Sequence, residues 1–86
     1  MKLATLIVLT IAVQTLASAQ TAFEKGKAAL LARDTVGAIS AFQDAVRNNQ
    51  KSGDANFFLG DIAFEQGRVD DAINFLSSAV RINDEN

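Results

Sequence analysis

An all-α fold of tandem helix-turn-helix repeats, about four helices forming a fragment of an α-solenoid, is predicted by two observations. The chain matches itself at a constant offset of 34 residues, and within each copy the apolar side chains recur at steps of three and four. The copies occupy residues 20–53 and 54–86, behind an N-terminal segment, residues 1–19, of quite different character.

The offset is seen by writing residues 22–52 over residues 56–86. Phe23 then falls over Phe57, Gly26 over Gly60, Ala29 over Ala63 and Ala38 over Ala72, without a gap. Ile39 pairs with Ile73, Ala45 with Ala79, Val46 with Val80 and Arg47 with Arg81. A small bundle with generic core alanines and glycines would pack in the same way, but it would not hold one register throughout.

Each copy reads as two helices and a short turn. In the second, Phe57, Phe58, Ile62 and Phe64 recur at helical spacing, and Gly67 supplies a residue able to take the left-handed conformation that ends a helix. Beyond Val69, the residues Ala72, Ile73, Leu76, Ala79 and Val80 form one apolar stripe, with Asp70 and Asp71 in the first turn where the helix dipole favours negative charge. The first copy repeats this with Phe23, Leu30 and Leu31, a turn near Asp34-Thr35, then Ile39, Phe42, Ala45 and Val46. Between the copies, Asn48 to Gly53 is polar, ends in glycine, and reads as a loop. Close helix approach needs small facing side chains, so Gly26 and Gly60 are expected opposite Ala38 and Ala72, with Phe42 and Leu76 filling the gaps beside them.

Residues 1–19 read as an export signal. Lys2 carries a positive charge, Leu3 to Val13 is apolar apart from Thr5 and Thr10, and Ala17-Ser18-Ala19 is a small-x-small ending with cleavage after Ala19. The competing reading is an uncleaved anchor, but this run is well short of the roughly 20 residues a spanning helix needs. Cleavage would leave 67 of the 86 residues, in a periplasmic or secreted location. That mature chain has no Cys, His, Pro, Trp or Tyr, so disulfides do not supplement its small core.

The same composition argues against catalysis. Without His or Cys the chain lacks the commonest general base, a thiol nucleophile and soft metal ligands, and there is neither a calcium loop nor a glycine-rich phosphate loop, so no metal site and no cofactor are expected. Asp61 and Glu65 lie four apart on one helical face, where two acids read as solvated charges. Nucleic acid is a poor partner for a mature chain with 7 basic and 10 acidic residues and no basic stripe.

In these residues the chain resembles the tetratricopeptide repeat family. Leu59-Gly60, the run Gly67-Arg68-Val69-Asp70-Asp71-Ala72-Ile73 and Ala79 carry the likeness in the second copy. Gly26, Asp34, Ala38, Phe42 and Ala45 carry it in the first. The departures are Ala22 and Asn56 at a usually bulky position, Lys25 for leucine, Ala29 and Ala63 where tyrosine is common, and Gln50 and Asp84 in place of a closing proline.

The resemblance implies binding of a protein or peptide on a concave surface lined by the first helix of each pair. Carried over, the groove residues are Phe23, Lys27, Leu30 and Leu31 in the first copy and Phe57, Asp61, Phe64 and Glu65 in the second. The alternative places some of these phenylalanines in the core and leaves the charges as a solvated face. Family members that grip a C-terminal carboxylate use Lys, Arg and Asn in the groove, whereas the second copy here offers acids. No membrane partner is expected once the signal is removed.

Two further readings concern self-association. Repeat stacks bury each unit's apolar face against a neighbour, and the last helix presents Ile73, Leu76 and Val80 with Phe75 nearby, so a possible homo-oligomer through that end is expected. Charge is also uneven: residues 20–53 hold five basic and three acidic residues, net +2, and residues 54–86 hold two and seven, net −5. Head-to-tail association of a basic end with an acidic one, and chance asymmetry, both fit this distribution. The remaining alternatives are a structural subunit without a separate ligand and the N-terminal piece of a longer array.

Intact-mass measurement of the exported protein is expected to return a chain beginning at Gln20. A product that starts at Met1 and stays with the membrane would establish the anchor instead.

Overall fold

A computed structural model of the chain describes residues 20–85, so the export signal read in residues 1–19 lies outside the described residues. Four helices follow one another: α1 (Ala22–Leu31), α2 (Thr35–Arg47), α3 (Ser52–Glu65) and α4 (Val69–Glu85). Each packs against the next in sequence, giving two helical hairpins joined through α2 and α3. Among the described residues no helix is long and apolar enough to cross a membrane.

Local chemistry sets the helix ends. The Thr21 hydroxyl accepts from the Glu24 backbone N–H at 3.1 Å and opens α1, and the Asp34 carboxylate accepts from the Gly37 N–H at 3.0 Å and opens α2. The first-turn amide of Ala22 donates to the side-chain carbonyl of Gln50 at 3.1 Å, so the loop between the hairpins helps to satisfy the start of α1. On α4, Asp70 and Asp71 occupy the first turn as expected, and Arg68 pairs with Asp71 at 3.0 Å.

Three helices end in the same way, with a left-handed residue and a pair of reversed hydrogen bonds to the last turn. For α1 the residue is Arg33 (φ 60°), with Arg33 N–H donating to Leu30 and Asp34 N–H to Ala29. For α2 it is Asn49 (φ 54°), and for α3 it is Gly67 (φ 79°). Arg33 and Gly67 are 34 residues apart, so one copy places an arginine where its sister has the residue suited to that conformation. The loop between copies is shorter than its composition suggests: α3 already begins at Ser52, and Gly53 is buried in its first turn against Asn83 and Ile82. The Asn83 side-chain amide lies where a Cβ on this glycine would stand, and the residue is helical rather than part of a turn. Lys51 (φ 50°) makes the entry to α3 instead.

The core lies at the α1–α2–α3 junction, where Phe23, Ala38, Phe42, Ala45, Ala55, Leu59 and Ile62 are buried together. Phe42 and Phe58 stack with ring centroids 5.0 Å apart and 6° between their planes, and Phe23 meets Phe42 edge-on at 5.8 Å. The glycines serve this packing in a different way from that expected. A Cβ on Gly26 would lie 2.6 Å from the Phe42 ring, and one on Gly60 would lie 2.8 Å from Leu76. The large side chains themselves occupy the glycine gaps, while Ala38 and Ala72 are buried as small residues elsewhere on the contact. Asn56 is tolerated at a bulky position because it is buried with its amide donating to the Ser52 carbonyl at 3.0 Å.

Gly26→Ala is expected to cost about 1–3 kcal/mol, since the added methyl displaces the Phe42 ring from its stack. Thermal and urea melts followed by circular dichroism measure this, and an unchanged midpoint would show that the gap is not needed. Arg33→Gly is expected to act in the opposite direction, raising stability by about 0.5–1 kcal/mol because it removes the Cβ penalty of the left-handed conformation. Loss of stability in the same melts would contradict that.

Candidate functional site

The eight positions expected to face a groove separate into different environments. Phe23 is 6% exposed and belongs to the core, so its assignment to an open binding face is corrected: Phe42 and Phe58 enclose its ring. The Lys27 ammonium lies 5.6 Å from that ring's centroid and the Lys51 ammonium 5.5 Å, within the range of a cation–π contact. Leu30 is half-buried against the core, whereas Leu31 is 88% exposed. On α3, Phe57 (56%) and Phe64 (65%) are exposed, as are Asp61 and Glu65.

Phe57, Asp61, Phe64 and Glu65 follow one another at steps of four, three and one, which places them on one side of α3. Two aromatic rings and two carboxylates therefore share an open helical face. Among the described residues, no group of three or more His, Cys, Asp or Glu is placed to hold a metal ion.

The four residues expected at a self-association end also divide. Phe75 is half-buried and packs on the core, sharing a shallow hollow with Val46, Asn56 and Leu59. Leu76 fills the gap left by Gly60. Both serve contacts within the chain, so placing them in an exposed end is corrected: α4 turns that side inward, towards α3 and the first copy. Ile73 (56%) and Val80 (60%) do face solvent.

Repeat symmetry makes these exposures informative. The first-copy counterparts of Phe57, Phe64, Ile73 and Val80 are Phe23, Leu30, Ile39 and Val46, and all four are buried in, or packed against, the core. Identical or similar residues at the same repeat position thus differ in burial according to which copy carries them. A one-dimensional pattern assigns Phe23 and Phe57 the same environment, and no local signal separates them. Val36 is a large exposed apolar side chain that sequence reasoning did not single out. It lies in the first turn of α2, where the apolar stripe of that helix does not reveal its direction.

The helical hairpins, their 34-residue equivalence and the glycine gaps describe a repeat protein, and the family model of the tetratricopeptide repeat matches residues 23–86. The chain belongs to the tetratricopeptide repeat family. No curated protein and no solved structure matches it. Members of this family are typically protein-interaction modules without catalytic activity.

Proposed function

We propose that the chain is an exported interaction module that holds a protein or peptide on the open face of α3. The carrying observation is that Phe57 and Phe64 are each more than half exposed, beside Asp61 and Glu65, while the equivalent Phe23 is buried. Exposed aromatic rings provide large contact area at modest entropic cost, and flanking carboxylates fix orientation and favour basic partners. Lys27 and Leu31, both exposed on α1, are the first-copy residues of the same reading. Export rests on the signal pattern in residues 1–19, and the binding role is non-catalytic.

The second reading, a subunit that stacks on copies of itself, draws on the exposure of Ile73 and Val80. Head-to-tail stacking would set α1 of one copy where α3 sits within the chain. The residues equivalent to Phe58, Leu59 and Ile62 are then Glu24, Lys25 and Ala28, a polar and shallow face that fills little of the space. Tail-to-tail pairing would bring two halves of net charge −5 together. A separate partner fits these constraints better.

Phe64→Ser is expected to reduce capture of a cognate protein from the native compartment at least about tenfold, in keeping with loss of a central aromatic anchor. Val36→Ser, which alters an equally open apolar side chain elsewhere, is expected to leave capture unchanged. Equal capture by both variants and the parent would remove α3 from the binding surface.

A further inference from the structure

The junction between the two copies contains the answer to what fits the open side of the second. There, the side of the first copy formed by Phe23, Leu30, Ile39 and Val46 is covered by α3, which brings Ala55, Phe58, Leu59 and Ile62 to the contact. The covering helix has a small residue first, an aromatic three positions on, then leucine, and isoleucine at the seventh step. The two sides of this contact also differ in net charge, while no ion pair joins them among the described residues. The covered copy has net charge +2 and holds Lys27 and Lys51 over Phe23, while α3 carries Asp54, Asp61 and Glu65 and no basic residue.

The second copy offers the same apolar positions, Phe57, Phe64, Ile73 and Val80, all more than half exposed. The sign of the charge is reversed, with Asp61 where the first copy has Lys27 and a net −5 over residues 54–86. We infer that this α3–α4 face docks a basic amphipathic helix of another protein, seated as α3 sits on the first copy, with one apolar side presenting a small residue, an aromatic and two aliphatics at that spacing. This deepens the reading of α3 as an interaction surface and rests on it. It extends that surface onto Ile73 and Val80 of α4 and specifies the partner as helical and positively charged. Apolar burial supplies the contact and charge selects the partner.

The test uses two synthetic peptides and the chain as the cell processes it. One peptide has the α3 sequence, residues 52–65, and the other carries Asp54→Lys, Asp61→Lys and Glu65→Lys in that sequence. Fluorescence anisotropy at low and high salt is expected to show the basic peptide binding at least about tenfold more tightly than the acidic one, with the difference shrinking as salt screens the charges. Ile73→Lys and Val80→Lys are each expected to weaken the basic peptide at least about tenfold. Both side chains are exposed, and far-ultraviolet circular dichroism confirms that the variants stay helical. Absence of binding, equal binding of the two peptides, or no effect of the α4 variants would overturn the inference. Loss of cognate capture in Phe64→Ser but not in Ile73→Lys or Val80→Lys would leave α3 as the binding surface and reject only the extension to α4. Concentration-dependent dimerisation in sedimentation, abolished by Val80→Lys, would assign the face to a second copy and overturn the proposal.

Discussion

The structure depends on the stacking of Phe42 on Phe58, with 5.0 Å between their centroids. One ring comes from the second helix of the first copy and the other from the first helix of the second, so this contact turns two hairpins into one folded unit. A two-helix hairpin buries too little apolar surface to offset the entropy of ordering it. Joining two across an aromatic cluster places Phe23, Phe42, Leu59 and Ile62 in a shared core. Buried aromatic pairs contribute about 0.5–1.5 kcal/mol beyond their area, and Phe42 takes part in two such pairs. The stack itself requires Gly26, because any side chain there would occupy the space of the Phe42 ring.

The junction also determines the loop that crosses it. Gln50 reaches back to the Ala22 amide, and Lys51 adopts a left-handed conformation while its ammonium sits over Phe23. A tetratricopeptide repeat commonly closes with proline near this point, which would limit the backbone without adding a polar side chain. Glutamine here provides a hydrogen bond across 28 positions of sequence, so the chain replaces a local restraint with a long-range one. The two ends of the loop are then coupled: moving α3 on α2 disturbs the cap of α1.

Much of the architecture was legible in the sequence because it is periodic. The 34-residue register, the apolar stripe of α4, the acidic first turn at Asp70-Asp71 and the left-handed Gly67 all result from local rules repeated along the chain. What escaped is non-local or opposes a local preference. Arg33 takes the left-handed place despite its Cβ, because the turn geometry is set by the hairpin it closes. Gly53 reads as a loop residue and is helical, with the Asn83 side chain of α4 lying where its Cβ would stand. Phe75 reads as part of an open end, yet it packs inward, since the stripe alone does not tell which side of α4 meets the preceding copy. The open face of α3 was legible in outline: Phe57, Asp61, Phe64 and Glu65 are exposed together, and Phe23 is the member that burial removes.

Burial of Phe23 and exposure of Phe57 express a polarity of the molecule that neither copy has alone. The outer side of α1 presents Glu24, Lys25 and Ala28 to solvent, where the equivalent side of α3 uses Phe58, Leu59 and Ile62 to pack on its neighbour. The N-terminal side is therefore already suited to water, and the α3–α4 side is not. A stack whose two faces were both apolar would accept neighbours at either side and extend without limit, whereas one whose faces were both polar would have nothing to recruit. Within the described residues the α1 side is polar and the α3–α4 side apolar and acid-rimmed, so an apolar neighbour is favoured on one side only. The acidic rim then discriminates among occupants, since like charge opposes another acidic second copy and opposite charge favours a basic helix. Divergence between the repeats at positions such as Glu24/Phe58, Lys25/Leu59 and Lys27/Asp61 is what makes a symmetric building unit into a directional one.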